Sequence, residues 1–421
     1  MDKKTAYQLA KEQYASLGVD TDIAIKKAKQ IPLSVHCWQG DDVVGFESQQ
    51  SFLSGGGILS TGAYPGRAEN IDQLAQDIDK AFSLIPGAKK LALHAMYGDF
   101  KGEKIDRNQI EPQHFDWWLH WAKQSGYGLD FNPTLFSHPK QAQGYTLASM
   151  DKGVRDFWIE HVARSRKIAA YLGAGLHQVC INNIWIPDGE KDVTPSRLVH
   201  RKHLLESLDA IFSESLPRSQ LLDAVESKLF GIGYEYYTPG SNEFYLLYAA
   251  RKNIAITFDT GHFHPTELVS DKISAALLFL PAILLHISRG VRWDSDHVPV
   301  LSQEIVDIMA EVKRNDAFDR VHLGTDFFDG SINRVGAWVL GARTVAKALL
   351  YAHLEPTKQL SAYEQEGNLF ARLALFENLK TMPFSAVWNQ YLETENVTDD
   401  RGWIQEILNY EQEVLTKRNA G

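Results

Sequence analysis

Eight short apolar runs, rich in β-branched residues and each followed by a longer amphipathic stretch, constrain this chain more than any other feature. They are Pro32–Trp38 (PLSVHCW), Lys90–Met96 (KLALHAM), Gly128–Pro133 (GLDFNP), His177–Trp185 (HQVCINNIW), Leu222–Leu229 (LDAVESKL), Ile254–Thr260 (IAITFDT), Ile283–Ser288 (ILLHIS) and Arg320–Phe327 (RVHLGTDF). Runs of this length, buried on both faces and separated by helical patterns, are the pattern of parallel strands joined by crossover helices. Between two of them, Phe115, Trp118, Leu119 and Ala122 recur at the 3 and 4 spacing of one helical face before a stop at Gly126. Eight such units in one chain predict a closed (β/α)8 TIM barrel, an α/β fold, over an open doubly wound sheet.

The flanks do not belong to that count. The spacing predicts helices before about Ile31, and a C-terminal helical extension over 356–421, where Lys358–Phe376 and Trp403–Leu415 carry apolar stripes. The expected division is therefore 1–355 for the barrel with its N-terminal helices and 356–421 for the extension. The stretch 54–66 (SGGGILSTGAYPG) is glycine-rich, but lacks the Lys-Ser/Thr ending of a phosphate-binding loop and the strand-to-helix setting of a dinucleotide fingerprint, so it reads as a loop.

Composition narrows the partners. With 53 Asp+Glu against 43 Lys+Arg and a net charge of -10, there is no electrostatic reason to expect nucleic acid or an anionic membrane surface. No apolar stretch is long enough for a membrane span, and the N-terminus lacks the continuous apolar core of a signal peptide. Two cysteines, Cys37 and Cys180, make no disulfide framework, which points to the cytoplasm.

In a barrel of this kind the chemistry sits at the carboxyl ends of the strands. There the fifth run carries Glu226 and Lys228, the sixth Asp259 and then His262 and His264, the seventh His286 and then Asp294 and Asp296, and the eighth Asp326. A strand-end aspartate often only caps a helix, and a buried histidine often only bonds a neighbour. Capping, however, does not require carboxylates on successive strands to be interleaved with His262 and His286. Two like charges about 4 Å apart repel by roughly 4 kcal/mol at an effective dielectric near 20, and Lys228 supplies one cation for five carboxylates. The remedies are protonation or bound divalent metal. A donor set of carboxylate and imidazole without thiolate suits Mn²⁺, Mg²⁺, Co²⁺ or Zn²⁺. Seven ligands, Glu226, Asp259, His262, His286, Asp294, Asp296 and Asp326, exceed what one ion with an open position takes, and two ions fit better. His264, Arg292 and His297 read as loop residues that orient their neighbours.

Six strings, Val35–Asp42 (VHCWQGDD), Trp185–Gly189 (WIPDG), Ala224–Gly233 (AVESKLFGIG), Gly261–Glu267 (GHFHPTE), Val291–His297 (VRWDSDH) and Asp326–Arg334 (DFFDGSINR), together resemble the L-rhamnose isomerase family. The resemblance runs over nearly the whole chain. It implies a barrel related to xylose isomerase, a cytoplasmic homotetramer, and Mn²⁺ or a similar ion at two sites. By motif, Glu226, Asp259, His286 and Asp326 match the ligands of a structural ion, and His262, Asp294 and Asp296 those of a catalytic ion, with Glu226 near enough to serve both. No ligand is substituted. The implied reaction moves a carbonyl between C1 and C2 of a sugar, with Asp326, Lys228 and His94 as the catalytic candidates: a proton carrier between oxygens, a countercharge at C1 and an aid to ring opening. Trp38, Trp185 and Phe131, with Lys228 and His94, are the candidate substrate contacts, the rings packing against a deoxy sugar's methyl group and C–H edges. Two other readings stand beside it, an aldose isomerase preferring another sugar and a metal-dependent hydrolase on the same fold. Little Arg or Lys near these strings argues against a phosphate-binding hydrolase.

Overall fold

The structure is a computed structural model that describes residues 2–47, 64–141, 143–228 and 236–418. Eight parallel strands close into a barrel: β1 Leu33–His36, β2 Lys89–His94, β3 Gly128–Asn132, β4 Cys180–Ile184, β5 Leu221–Glu226, β6 Ala255–Asp259, β7 Ile283–Ile287 and, after the intervening hairpin, β10 Val321–Thr325. The barrel shuts where β1 pairs with β10 (Leu33 with Leu323, Ser34 with Gly324). Each run expected from sequence coincides with one strand; β2 and β5 begin one residue earlier, at Lys89 and Leu221, and the ends are otherwise trimmed. His177, for example, adopts φ 53° as the cap of the helix Lys152–Leu176 rather than starting β4.

Side chains alternate across each strand, and the two faces are chemically distinct. Val35, Leu93, Phe131, Val225, Phe258 and Leu285 belong to the large hydrophobic core that includes the surrounding helices. The opposite face looks into the barrel. Toward the amino ends of the strands it is closed by a small apolar plug of Ile181, Ala224, Ala255, Ala282 and Leu284. Toward the carboxyl ends the same inward rows continue as Asn183, Glu226, Thr257, Asp259 and His286, all buried. The plug excludes water below while polar side chains crowd the mouth above. The helices are fastened to the outer face by specific ties as well: Arg166 reaches from Lys152–Leu176 to Asp223 of β5 (3.0 Å).

Between β7 and β10 the chain forms an antiparallel hairpin, β8 Arg289–Val291 and β9 Trp293–His297, where the sequence predicted only a loop. Arg292 takes φ 73° at its tip, and the Asp296 carbonyl accepts the Phe328 N–H (2.8 Å), tying the returning arm to the exit of β10. The C-terminal segment forms four helices, Thr357–Gln365, Leu369–Leu379, Phe384–Thr394 and Gly402–Glu413. The expected stripe Lys358–Phe376 is thus split at Gly367, which has φ 71°. Val387, Trp388, Tyr391 and Ile407 join the same core as the barrel. Ion pairs Lys3–Asp399 (3.0 Å), Lys80–Glu406 (2.6 Å) and Arg418–Asp77 (2.6 Å) bind the last helices to the N-terminal part of the chain. Among the described residues no helix is long and apolar enough to cross a membrane.

Candidate active site

Four adjacent strands, β5, β6, β7 and β10, bring Glu226, Asp259, His286 and Asp326 together, with one donor atom from each lying within 4.8 Å of the others. The register explains it: Asp259 is paired with His286, and His286 with nothing bulkier than Gly324. A Cβ at Gly324 would lie 3.2 Å from His286 Cδ2, so glycine there lets the imidazole settle. His286 Nδ1 is 3.4 Å from Glu226 Oε2 and 3.2 Å from Asp326 Oδ2, yet its angles make a hydrogen bond with neither. Asp259 Oδ1 accepts from the Gly261 N–H (2.6 Å) and Ser288 Oγ (3.0 Å), while its Oδ2 has no partner.

A second group lies beside the first. His262 Nδ1–H donates to the Ser227 carbonyl (2.8 Å), which turns Nε2 toward Asp294 Oδ2 at 3.2 Å. Lys228 Nζ reaches the same oxygen at 3.2 Å and lies over the Trp185 ring, 4.6 Å from its centroid. Asp294 Oδ1 is buried and unpaired, and Asp296 stands on the wall of the adjoining cavity. Among the described residues His262, Asp294 and Asp296 do not converge as closely as the first four, and Asp294 Oδ2 is shared between Lys228 and His262.

The electrostatics say what the cluster demands. Burial pushes Asp259 up to about 7, with Asp326, Glu226 and Asp294 adding to the shift and His262 only partly opposing it. Burial and the Asp294 charge likewise push Asp296 well above the carboxylate range. Burial works against a charged His262, but Asp294 and Asp259 overrule it and push the imidazole up to about 10. Burial is overruled again at Glu226, which His286 and His262 hold down to about 2. Positive charge is wanted at both groups, and four buried polar atoms, Glu226 Oε1, Asp259 Oδ2, His286 Nδ1 and Asp294 Oδ1, make no hydrogen bond. Donor groups of Glu226, Asp259, His286 and Asp326 that converge within 4.8 Å, with Asp259 Oδ2 and His286 Nδ1 left without a hydrogen bond, fit a divalent cation.

The mouth opens into a cavity lined by Trp38, Val43, His94, Asn132, Phe136, Asn183, Trp185, Glu226, Lys228, His262, Asp296 and Asp326. The family model described as L-rhamnose isomerase (RhaA) matches residues 1–418. The chain belongs to the L-rhamnose isomerase family. It is 53% identical over 414 residues to the L-rhamnose isomerase of Rhodopirellula baltica, covering 98% of this chain and 96% of that protein. The enzyme of the same name from Pectobacterium carotovorum is 53% identical over 417 residues, covering 99% of each chain. Among solved structures, a D-allulose 3-epimerase from Methylomonas sp. aligns with a TM-score of 0.45 at 13% identity, over 79% of this chain and 97% of that one, too distant to bear on chemistry.

On this L-rhamnose isomerase scaffold the candidate residues sort by strand face. Trp38, Trp185, His94 and Lys228 border the cavity. Phe131, expected there, does not: it is fully buried with its ring 5.0 Å from Phe115, on the helix side of β3. Its neighbour Asn132 points inward instead, since alternation allows only one of the two, and Phe136 beyond the strand provides an aromatic wall, 5.8 Å from Trp185. Of the loop residues, His264 bonds Thr266 Oγ1 (2.8 Å) and His297 bonds Ser295 Oγ (2.9 Å). The segment 54–66 lies outside the described residues except for its last three. Sequence reading also missed Asn183, whose amide meets Glu226. The signal was there in Asn182-Asn183, two amides inside a strand otherwise suited to full burial.

Proposed function

We propose that this L-rhamnose isomerase family member interconverts L-rhamnose and L-rhamnulose at the mouth of the barrel, with two divalent ions. Mn²⁺ is the preferred cofactor, and Co²⁺, Zn²⁺ or Mg²⁺ are alternatives of the same coordination chemistry. Glu226, Asp259, His286 and Asp326 would hold a structural ion, and His262, Asp294 and Asp296, with Glu226, a catalytic one. The observation that carries this is the convergence of four donor groups, with unpaired atoms, beside a cavity walled by tryptophan. Bound there, a divalent ion chelated by adjacent sugar oxygens would polarise the carbonyl and stabilise charge on oxygen while hydrogen passes as hydride between C1 and C2.

The chain's own residues do the rest. Trp38 and Trp185 present apolar faces to the deoxy end of the sugar and exclude water. Lys228 stays charged, because Asp294 and Asp296 outweigh its burial, and offers a countercharge to an oxygen at C1. Burial, reinforced by Arg107, pushes His94 down to about 3, so it works as a neutral imidazole. Its Nδ1 lies 3.2 Å from Thr134 Oγ1, and the ring can steer a hydroxyl by hydrogen bonding during ring opening. Asp326 is the proposed carrier of a proton between O1 and O2. Its side chain is 23% exposed against 5% for His286, which leaves it open to the cavity.

The test is to strip the protein of metal and measure ketose formed from L-rhamnose, D-xylose and L-arabinose with and without Mn²⁺. L-rhamnose with Mn²⁺ should give the highest kcat/KM, and full turnover in protein shown to be metal-free would sink the two-ion reading. A better kcat/KM on either pentose would move the chain to the related aldose isomerases. The same reading places the enzyme in the cytoplasm, where its two buried free thiols, Cys37 and Cys180, stay reduced, and makes it a homotetramer. Recovery outside the cytosolic fraction would refute the first.

A further inference from the structure

Glu226 stands between the two groups of ligands: its Oε2 is 3.4 Å from His286 Nδ1 and its Oε1 is 3.3 Å from His262 Nδ1. Two uncharged residues hold it there. Asn183 Nδ2 donates to Glu226 Oε2 (2.5 Å), and Thr257 Oγ1 donates to Asn183 Oδ1 (2.6 Å). All three side chains are buried. A carboxylate only accepts, so the amide must turn its NH₂ toward Glu226, and its carbonyl oxygen then needs the Thr257 hydroxyl. The barrel makes the contact possible, because alternate strands contribute side chains to one interior layer. β4 and β6 put Asn183 and Thr257 side by side, and β5 between them puts Glu226 in the next layer.

We infer that Asn183, locked by Thr257, is a positioning residue that fastens Glu226 Oε2 and thereby directs Oε1, which makes no hydrogen bond, toward the His262 group. This rests on the two-ion reading above. If the hydroxyl of Thr257 is lost, the Asn183 carbonyl is left buried and unpaired, and only the bond to Glu226 still holds the amide in place. Glu226 then loses its fixed rotamer, and the ion beside His262 loses a preset ligand. Partners of this kind in the second layer around a metal typically change affinity by about 10- to 100-fold.

Thr257 is the cleaner probe, because Asn183 also borders the cavity whereas Thr257 does not. Metal-free wild type, Thr257→Val and Thr257→Ser are titrated with Mn²⁺ while free Mn²⁺ is followed by electron paramagnetic resonance. Wild type should take up two ions. Thr257→Val, which keeps the shape but not the hydroxyl, should bind one of them about tenfold more weakly. It should still reach two at saturation, with KM for L-rhamnose within about twofold of wild type under saturating metal. Thr257→Ser, which restores the donor, should restore the affinity. Equal affinities in wild type and Thr257→Val would overturn the inference, and so would an equal loss in both variants, which would trace the effect to packing. A wild type that binds no Mn²⁺ would refute the two-ion reading and this inference with it. If Thr257→Val fails to fold, Asn183→Asp gives the same readout: it keeps the acceptor for Thr257 but sets a carboxylate against Glu226, and unchanged Mn²⁺ affinity there would overturn the proposal.

Discussion

Asp296 and His286 carry opposite expectations although both are proposed ligands. Asp296 sits on the hairpin arm β9 at φ 47°, against the cavity, and its charge is resisted by burial and by Asp294. Asp296→Asn keeps the shape and removes a charged donor. It should cost at least about 10²-fold in kcat and weaken one ion while leaving the melting temperature nearly unchanged. His286 lies inside β7, buried, facing Asp326 at the exit of the neighbouring β10 and Glu226 on β5, two strands away. His286→Ala removes a donor from the proposed structural ion, which would tie these strands together, so both activity and melting temperature should fall. Metal content, melting temperature and kcat measured together on both variants check this. Near wild-type turnover in Asp296→Asn with both ions bound would remove β9 from the catalytic site.

Elements were legible in the sequence wherever burial was uniform. Six of the eight barrel runs contain their whole strand and the other two miss only its first residue, Lys89 or Leu221, because a strand covered on both faces stands out as a short apolar run, and Gly126 stops the helix Asp116–Ser125 at φ 72° as its residue type demands. The convergence of Glu226, Asp259, His286 and Asp326 was legible too, since carboxylates interleaved with histidine on successive strand exits exceed what helix capping requires. What stayed hidden depends on direction. A one-residue choice decides whether Phe131 or Asn132 faces the cavity, and the hairpin β8–β9 is set by pairing and by Arg292 at positive φ, which periodicity does not reveal. The C-terminal helices are a third case. Leu369–Leu379 exposes Leu369 (58%), Phe370 (82%) and Leu373 (62%) to solvent, although Leu375 and Leu379 on the same helix are buried. Such a face suits a subunit contact. Light scattering should return a mass several times 47.4 kDa, and Leu373→Glu should lower it. A mass near 47 kDa for the unmodified chain at micromolar concentration would contradict the homotetramer.

For the molecule as a whole, buried titratable groups make stability depend on pH in two opposing ways. Burial pushes His36, His94 and His161 down to about 3 in the folded chain, against 6.5 for the free side chain. Each therefore contributes stability that is fully present above 6.5 and is lost as pH falls through the window toward 3, where the unfolded chain binds the proton and the folded one does not. Burial acts on Asp41 and Asp188 with the other sign, pushing them up to about 7 and about 6 from 3.8. Their contribution is present below 3.8 and is lost as pH rises through those values. Near pH 5 the two sets largely offset, so the total slope is a poor test and a single residue is a better one. His161 is suited to it: its Nδ1–H donates to the Arg107 carbonyl (2.9 Å), its Nε2 is buried without a partner, and the Arg107 guanidinium adds to the burial in resisting a charge. On passing from pH 6 to pH 5, wild type should lose about 1 kcal/mol more than His161→Gln, since one titrating proton is worth about 1.4 kcal/mol per pH unit. Urea unfolding of both proteins at pH 7, 6 and 5 measures it under one background. If the two stability curves run parallel, His161 takes up its proton in the folded chain, and burial does not control its charge.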